Sequence, residues 1–154
     1  GRGKDGVIDN VRFERICMDQ VRTPFVVNCF YFCDPDGYTE YVRTKEKLPV
    51  DDRTPKIKNL FFKDIEAVNC HVAAAYFYGL PEQKIESVVM ENIHVTYAEN
   101  PVKDVPAMME GAEPVSGQGI FARNIGELTI RNVQIDNPDG KVMDLDGIDQ
   151  IITQ

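Results

Sequence analysis

No apolar run in this sequence approaches the roughly 20 residues that a membrane-spanning helix needs, so no membrane span is expected. Gly1-Arg2-Gly3-Lys4 leads straight into a strand and does not read as a signal peptide. Cations are scarce, with 17 Lys and Arg against 25 Asp and Glu and a net charge of −8. Residues 57–154 hold the whole deficit, whereas residues 1–56 are balanced. Such a chain is a poor nucleic-acid ligand, because phosphate backbones reward clustered Lys and Arg. The four cysteines, Cys17, Cys29, Cys33 and Cys70, form no CxxC and no zinc-ligand spacing, so neither a metal nor a cofactor is expected. A Cys29–Cys33 bridge is allowed by spacing, which alone decides nothing. Cys17, between inward Ile16 and Met18, is expected to face outward. Only two histidines are present, His71 and His94, and neither has a general acid–base partner recognisable by spacing.

What the chain does have is one apolar phrase spoken four times. It starts at Ile8, Ile57, Ile85 and Ile125, and each copy places apolar residues at offsets 0, 3, 5, 8 and 10. A fifth copy opens at Ile148 and Ile151. Offsets 3 and 5 share a face of a strand, and so do 8 and 10, while the three-residue step between the pairs demands a corner. At that corner stand Asp64, Asn92 and Asn132, residue types that tolerate left-handed backbone. A helix would need its apolar stripe at 3.6-residue spacing, which this pattern lacks. The copies start 49, 28, 40 and 23 residues apart. The shorter gaps suit one solenoid coil, and the longer ones a coil plus an inserted loop. The spacing predicts an all-β fold, a parallel β-helix of four to five coils with two long loop insertions.

The rest of the chain fits between these coils. Thr23-Pro24 turns into Phe25-Val26-Val27-Asn28, and residues 33–56 form a polar insertion opened by the turn signal Asp34-Pro35-Asp36-Gly37. Val72-Ala73-Ala74-Ala75 suits a crowded interior, and Gly79-Leu80-Pro81-Glu82 turns the chain after Tyr76-Phe77-Tyr78. Residues 96–119 are a second insertion, rich in Pro, Gly and Met, and Asn137-Pro138-Asp139-Gly140 turns into the last coil. No linker divides the chain, so residues 1–154 are expected to form a single domain.

Gly1-Arg2-Gly3 followed by Val7-Ile8-Asp9-Asn10-Val11-Arg12-Phe13 resembles the stretch just downstream of the catalytic coils in polygalacturonases, the glycoside hydrolases of family 28. Thr23-Pro24-Phe25-Val26-Val27-Asn28, Tyr76-Phe77-Tyr78-Gly79-Leu80-Pro81-Glu82 and Pro106-Ala107-Met108-Met109 resemble its bacterial branch, so the likeness spans the chain. It implies a right-handed coil, a periplasmic or secreted location, and hydrolysis of α-1,4-linked galacturonate in pectin with inversion. Inversion uses an acid and a base about 6.5–9.5 Å apart. The family's Asn-Thr-Asp, Gly-His-Gly and Arg-Ile-Lys segments are absent here. Asp51-Asp52 is the only adjacent acidic pair, but it lies in a Pro-flanked loop downstream of where the family's catalytic pair belongs. No catalytic residue is therefore assigned, and the chain reads as the C-terminal portion of a longer β-helix.

What the resemblance leaves is part of a sugar-binding wall. Tyr31, or Phe32 one place along, is the nearest match to the family's substrate-facing aromatic, since aromatic faces suit the apolar C–H edges of sugar rings. The plain alternative is that Phe30 and Phe32 are core and Tyr31 merely points outward. Arg22, Arg43 and Lys45 are candidates to meet galacturonate carboxylates, and Arg2 and Lys4 to line the cleft. For each, a solvated loop charge is the alternative. Met108-Met109 reads as a packed loop flap.

Three functional readings follow. The first is a catalytically incomplete part of a polygalacturonase-like hydrolase whose partner is pectic polysaccharide or oligogalacturonate. The second is a carbohydrate-binding or structural β-helix module. The third is a subunit that completes a site with another chain, because an open N-terminal coil invites stacking on a partner or on itself.

Overall fold

A computed structural model describes all of residues 1–154. Its strands are β1 (Val7–Ile8), β2 (Val11–Asp19), β3 (Phe25–Asn28), β4 (Lys56–Ile57), β5 (Asn59–Cys70), β6 (Ala73–Tyr78), β7 (Ile85–Tyr97), β8 (Gln118–Ile135) and β9 (Met143–Thr153). One short helix, α1 (Glu40–Arg43), follows a 3-10 turn at Pro35–Tyr38 in the first insertion. Every strand pairing is parallel. The larger sheet runs β2-β5-β7-β8-β6-β3, with β9 also on β8. The long strand β8 joins the two flanks, pairing through its first part with β6 and through its second with β7. The result is one curled parallel sheet.

The register stacks the repeat on itself column by column. Leu60 lies opposite Val88, Val88 opposite Leu128 and Leu128 opposite Ile151. Ile65, Ile93 and Val133 form a second column. Like side chains therefore meet every strand spacing, and the curl packs these inward rows against those of β3, β6 and the start of β8. Ile85, Val88, Met90, Ile125 and Leu128 are fully buried in the resulting core. Each such side chain contributes about 1.5–3 kcal/mol through its removal from water.

The corner residues behave as their chemistry demands. Asp64, Asn92 and Asn132 take left-handed φ of 54, 53 and 48°, and Arg15 does so in the first repeat at 56°. Asn92 Nδ2 donates to Asp64 Oδ1 at 2.9 Å, and Asn132 Nδ2 to Asn92 Oδ1 at 3.0 Å. These bonds between repeats help offset the cost of the backbone conformation. The spacing predicts two short strands on either side of the corner, but the ladder runs through it, because one left-handed residue bends a strand without ending its pairing. The two insertions lie where expected, between β3 and β4 and between β7 and β8.

Contacts in the fold settle what spacing leaves open about cysteine and histidine. All four cysteines are free: Cys29 is buried under the first insertion while Cys33 is exposed on it, so no bridge joins them. Both histidines have partners that spacing conceals. His94 Nε2 lies 2.8 Å from Asp136 Oδ2, and His71 Nδ1 accepts the Val102 N–H at 3.2 Å. No helix is long and apolar enough to cross a membrane.

Candidate functional site

The residues with most to offer a ligand sit on the outward face of β3, β6 and the first part of β8. Alternation sends Phe25, Ala75, Phe77 and Ile120 inward, so Tyr76, Tyr78, Phe121 and Arg123 project the other way. Tyr76 and Phe121 stack with centroids 4.5 Å apart, and Tyr78 lies 5.9 Å from Phe121. Arg123 covers the Phe121 ring at 4.0 Å and is anchored to Asp144 by an Nη2–Oδ1 contact of 3.0 Å. Phe30 meets Tyr78 edge-on at 5.0 Å. The second insertion closes over part of this platform, since Ala107 and Met109 pack with Cys29, Phe30, Tyr76 and Leu80. Burial pushes the Tyr76 phenol up to about 12 and raises that of Tyr78.

Beside the half-buried Tyr78 opens a groove of about 400 Å³ rimmed by Arg43, Lys45 and Glu110. The Lys45 ammonium sits 4.0 Å from the Phe30 centroid and donates to the Arg43 carbonyl at 2.7 Å. Burial, and next the neighbouring Arg2 cation, lower its pKa. Arg43 contacts Glu40 at 2.9 Å and Glu110 at 3.3 Å, tying the first insertion to the second. A π face with cations and carboxylates at its rim can hold a polar ring by its apolar side.

The residues proposed from sequence are scattered. Arg43 and Lys45 line this groove. Tyr31 is exposed and makes an antiparallel bridge with Met109, at the edge of the flap. Lys4 is exposed but held by Asp34 at 3.2 Å and Asp36 at 3.5 Å. Arg22 pairs with Asp104 of the second insertion. Arg2 is the clear correction: it is 1% exposed, and its guanidinium is consumed within the fold. Nε and Nη2 fork onto Glu82 at 2.6 and 2.9 Å, and the Nη groups reach the carbonyls of Thr44 and Glu46 at 2.6 and 3.0 Å. It organises the first insertion and cannot meet a ligand in a cleft. Phe30 is core as the alternative had it, whereas Phe32 is only partly buried.

Sequence reasoning passed over Tyr78, Phe121, Arg123 and Glu110. Period-two alternation around Phe77 and around Ala122 was the available signal for the first three. Asp51 is ill suited to hold a proton for a general acid's role: Arg53 Nη2 donates to its Oδ2 at 2.6 Å, and that bond holds its carboxyl below the ordinary range. No group of three or more His, Cys, Asp or Glu is arranged to hold a metal ion. Compared with protein-family models, with curated proteins and with solved structures, the chain matches none.

Proposed function

We propose that this chain is a right-handed parallel β-helix and the C-terminal portion of a polygalacturonase-like glycoside hydrolase acting on pectin. In this role it holds galacturonan against the Tyr78–Phe121 face and does not itself supply the carboxylates of hydrolysis. The observation that supports it most is the aromatic platform rimmed by Lys45, Arg43 and Glu110, since a uronate presents both a C–H face and a carboxylate. The column-on-column register and the left-handed Asn corners support the β-helix. Reducing-end release from polygalacturonate by the purified chain is the test. None is expected. Release that disappears on Asp51→Asn/Asp52→Asn would overturn the proposal, because the loop pair would then be doing the acid–base chemistry.

A further inference from the structure

The groove beside Tyr78 holds one positive charge that the fold leaves uncompensated. Arg43 is tied to Glu40 and Glu110. Arg123 is tied as well: Nη1 donates to the carbonyls of Ala122 and Asp144 at 3.0 and 2.9 Å, and Nη2 is held by the Asp144 carboxylate. Lys45 differs from both. Its hydrogen bonds go to the carbonyls of Arg43 and Glu110, at 2.7 and 3.4 Å, and no carboxylate reaches it. The ammonium lies instead against two rings, 4.0 Å from the Phe30 centroid and 5.9 Å from that of Tyr78. A half-buried cation without a counter-ion is costly, and an anion entering the groove offsets that cost.

Around that one cation the surface is acidic. Glu40 and Glu110 share Arg43, while on β9 Asp144 and Asp146 stand opposite Phe121 and Arg123. The face thus sets three cations, Arg43, Lys45 and Arg123, against four carboxylates. One ligand carboxylate fits beside Lys45. A second, one sugar along in either direction, finds no free cation and meets like charge.

We propose that this face recognises a single free uronate flanked by uncharged sugars, and disfavours a chain with a carboxylate on every residue. The inference rests on the sugar-holding role proposed above and narrows it. Two kinds of chain share this chemistry: galacturonan whose neighbouring residues are methyl-esterified, and a chain in which uronate alternates with neutral sugars. Glu110 sets the preference, because its carboxylate stands at the rim of the groove and keeps Arg43 from the ligand. A like charge about 4 Å away in water lowers affinity about fivefold.

The test is a set of Kd values from amide shifts of the whole 154-residue chain at low salt. The probes are trigalacturonate as the triacid, as the triester, and as the form free only at its middle residue, with a galacturonate between two neutral sugars beside them. The middle-acid form should bind about fivefold tighter than the triacid, and the gap should shrink in 1 M salt, where charges are screened within about 3 Å. The triester should bind about tenfold more weakly than the middle-acid form, since it forfeits the charge-assisted bond to Lys45. Lys45→Met should make those two equal. Glu110→Gln removes one carboxylate and releases Arg43, so the triacid should gain at least fivefold. Whichever of the two singly charged probes binds tighter identifies the kind of chain. Tighter binding of the triacid than of both singly charged probes, or unchanged discrimination in Glu110→Gln, would overturn the inference and leave the sugar-holding role intact. Binding of no probe would sink that role and this inference with it.

Discussion

Replacing Arg2 by Ala should destabilise the fold strongly, because its side chain is spent on contacts inside it. The guanidinium forks onto Glu82, and both side chains are 1% exposed. Truncation leaves the Glu82 carboxylate buried without its cation and frees the carbonyls of Thr44 and Glu46. Breaking a buried pair from one side costs about 3–5 kcal/mol. Against a total stability of about 5–15 kcal/mol that is a large fraction. Arg2→Lys keeps the charge but loses the fork, and should fall between. The assay is urea unfolding at neutral pH, with hydrogen exchange to show that residues 33–56 loosen first. Glu82 adds a pH signature. Burial pushes its carboxyl up, but the hydrogen bond from Arg2 and backbone N–H groups outweigh this and leave it below its usual 4.5. Its folded pKa is thus depressed, so the contribution is fully present above the ordinary carboxyl range and lost as pH falls through the lowered value. Arg2→Ala should remove that acid limb. A loss under about 1 kcal/mol, the range of an exposed pair, would refute the reasoning.

Two further outcomes follow from burial. Phe62→Ala should cost about 3–5 kcal/mol, whereas Phe13→Ala, half-exposed in the same column, should cost well under half of that; equal losses in urea unfolding would mean that the β2 end is covered in solution. Cys17 and Cys33 are exposed, while burial pushes the thiols of Cys29 and Cys70 up to about 11. A disulfide reagent at neutral pH should therefore titrate two thiols quickly and two only on unfolding, and four fast thiols would contradict the packing.

The parallel sheet was legible because its signal is local and repeated: Ile, Val and Leu at fixed offsets, with Asp64, Asn92 and Asn132 at the bend. Arg15 was less visible as a corner, since its left-handed φ is imposed by the ladder rather than favoured by its own side chain. The candidate site was only half legible. Arg43 and Lys45 stand out as loop cations, and Tyr31 as an exposed aromatic. Whether a cation is free or spent depends on residues far along the chain, as with Arg2 and Glu82, 80 residues apart. Spacing carries no trace of such a pairing. His94 and Asp136, joined across 42 residues, were hidden for the same reason. Tyr78 and Phe121 meet only because β6 and β8 lie side by side, which alternation hints at but register decides.

The most direct test of the functional account is a titration of the nitrogen-labelled chain with oligogalacturonate, followed by amide shifts, with a neutral galactose oligomer as control. The expected result is saturable movement at Lys45, Tyr78, Phe121 and Arg123 with the acidic ligand, and weaker movement with the neutral one. No movement on that face at saturating oligogalacturonate, or equal movement with both ligands, would contradict a pectin-holding role.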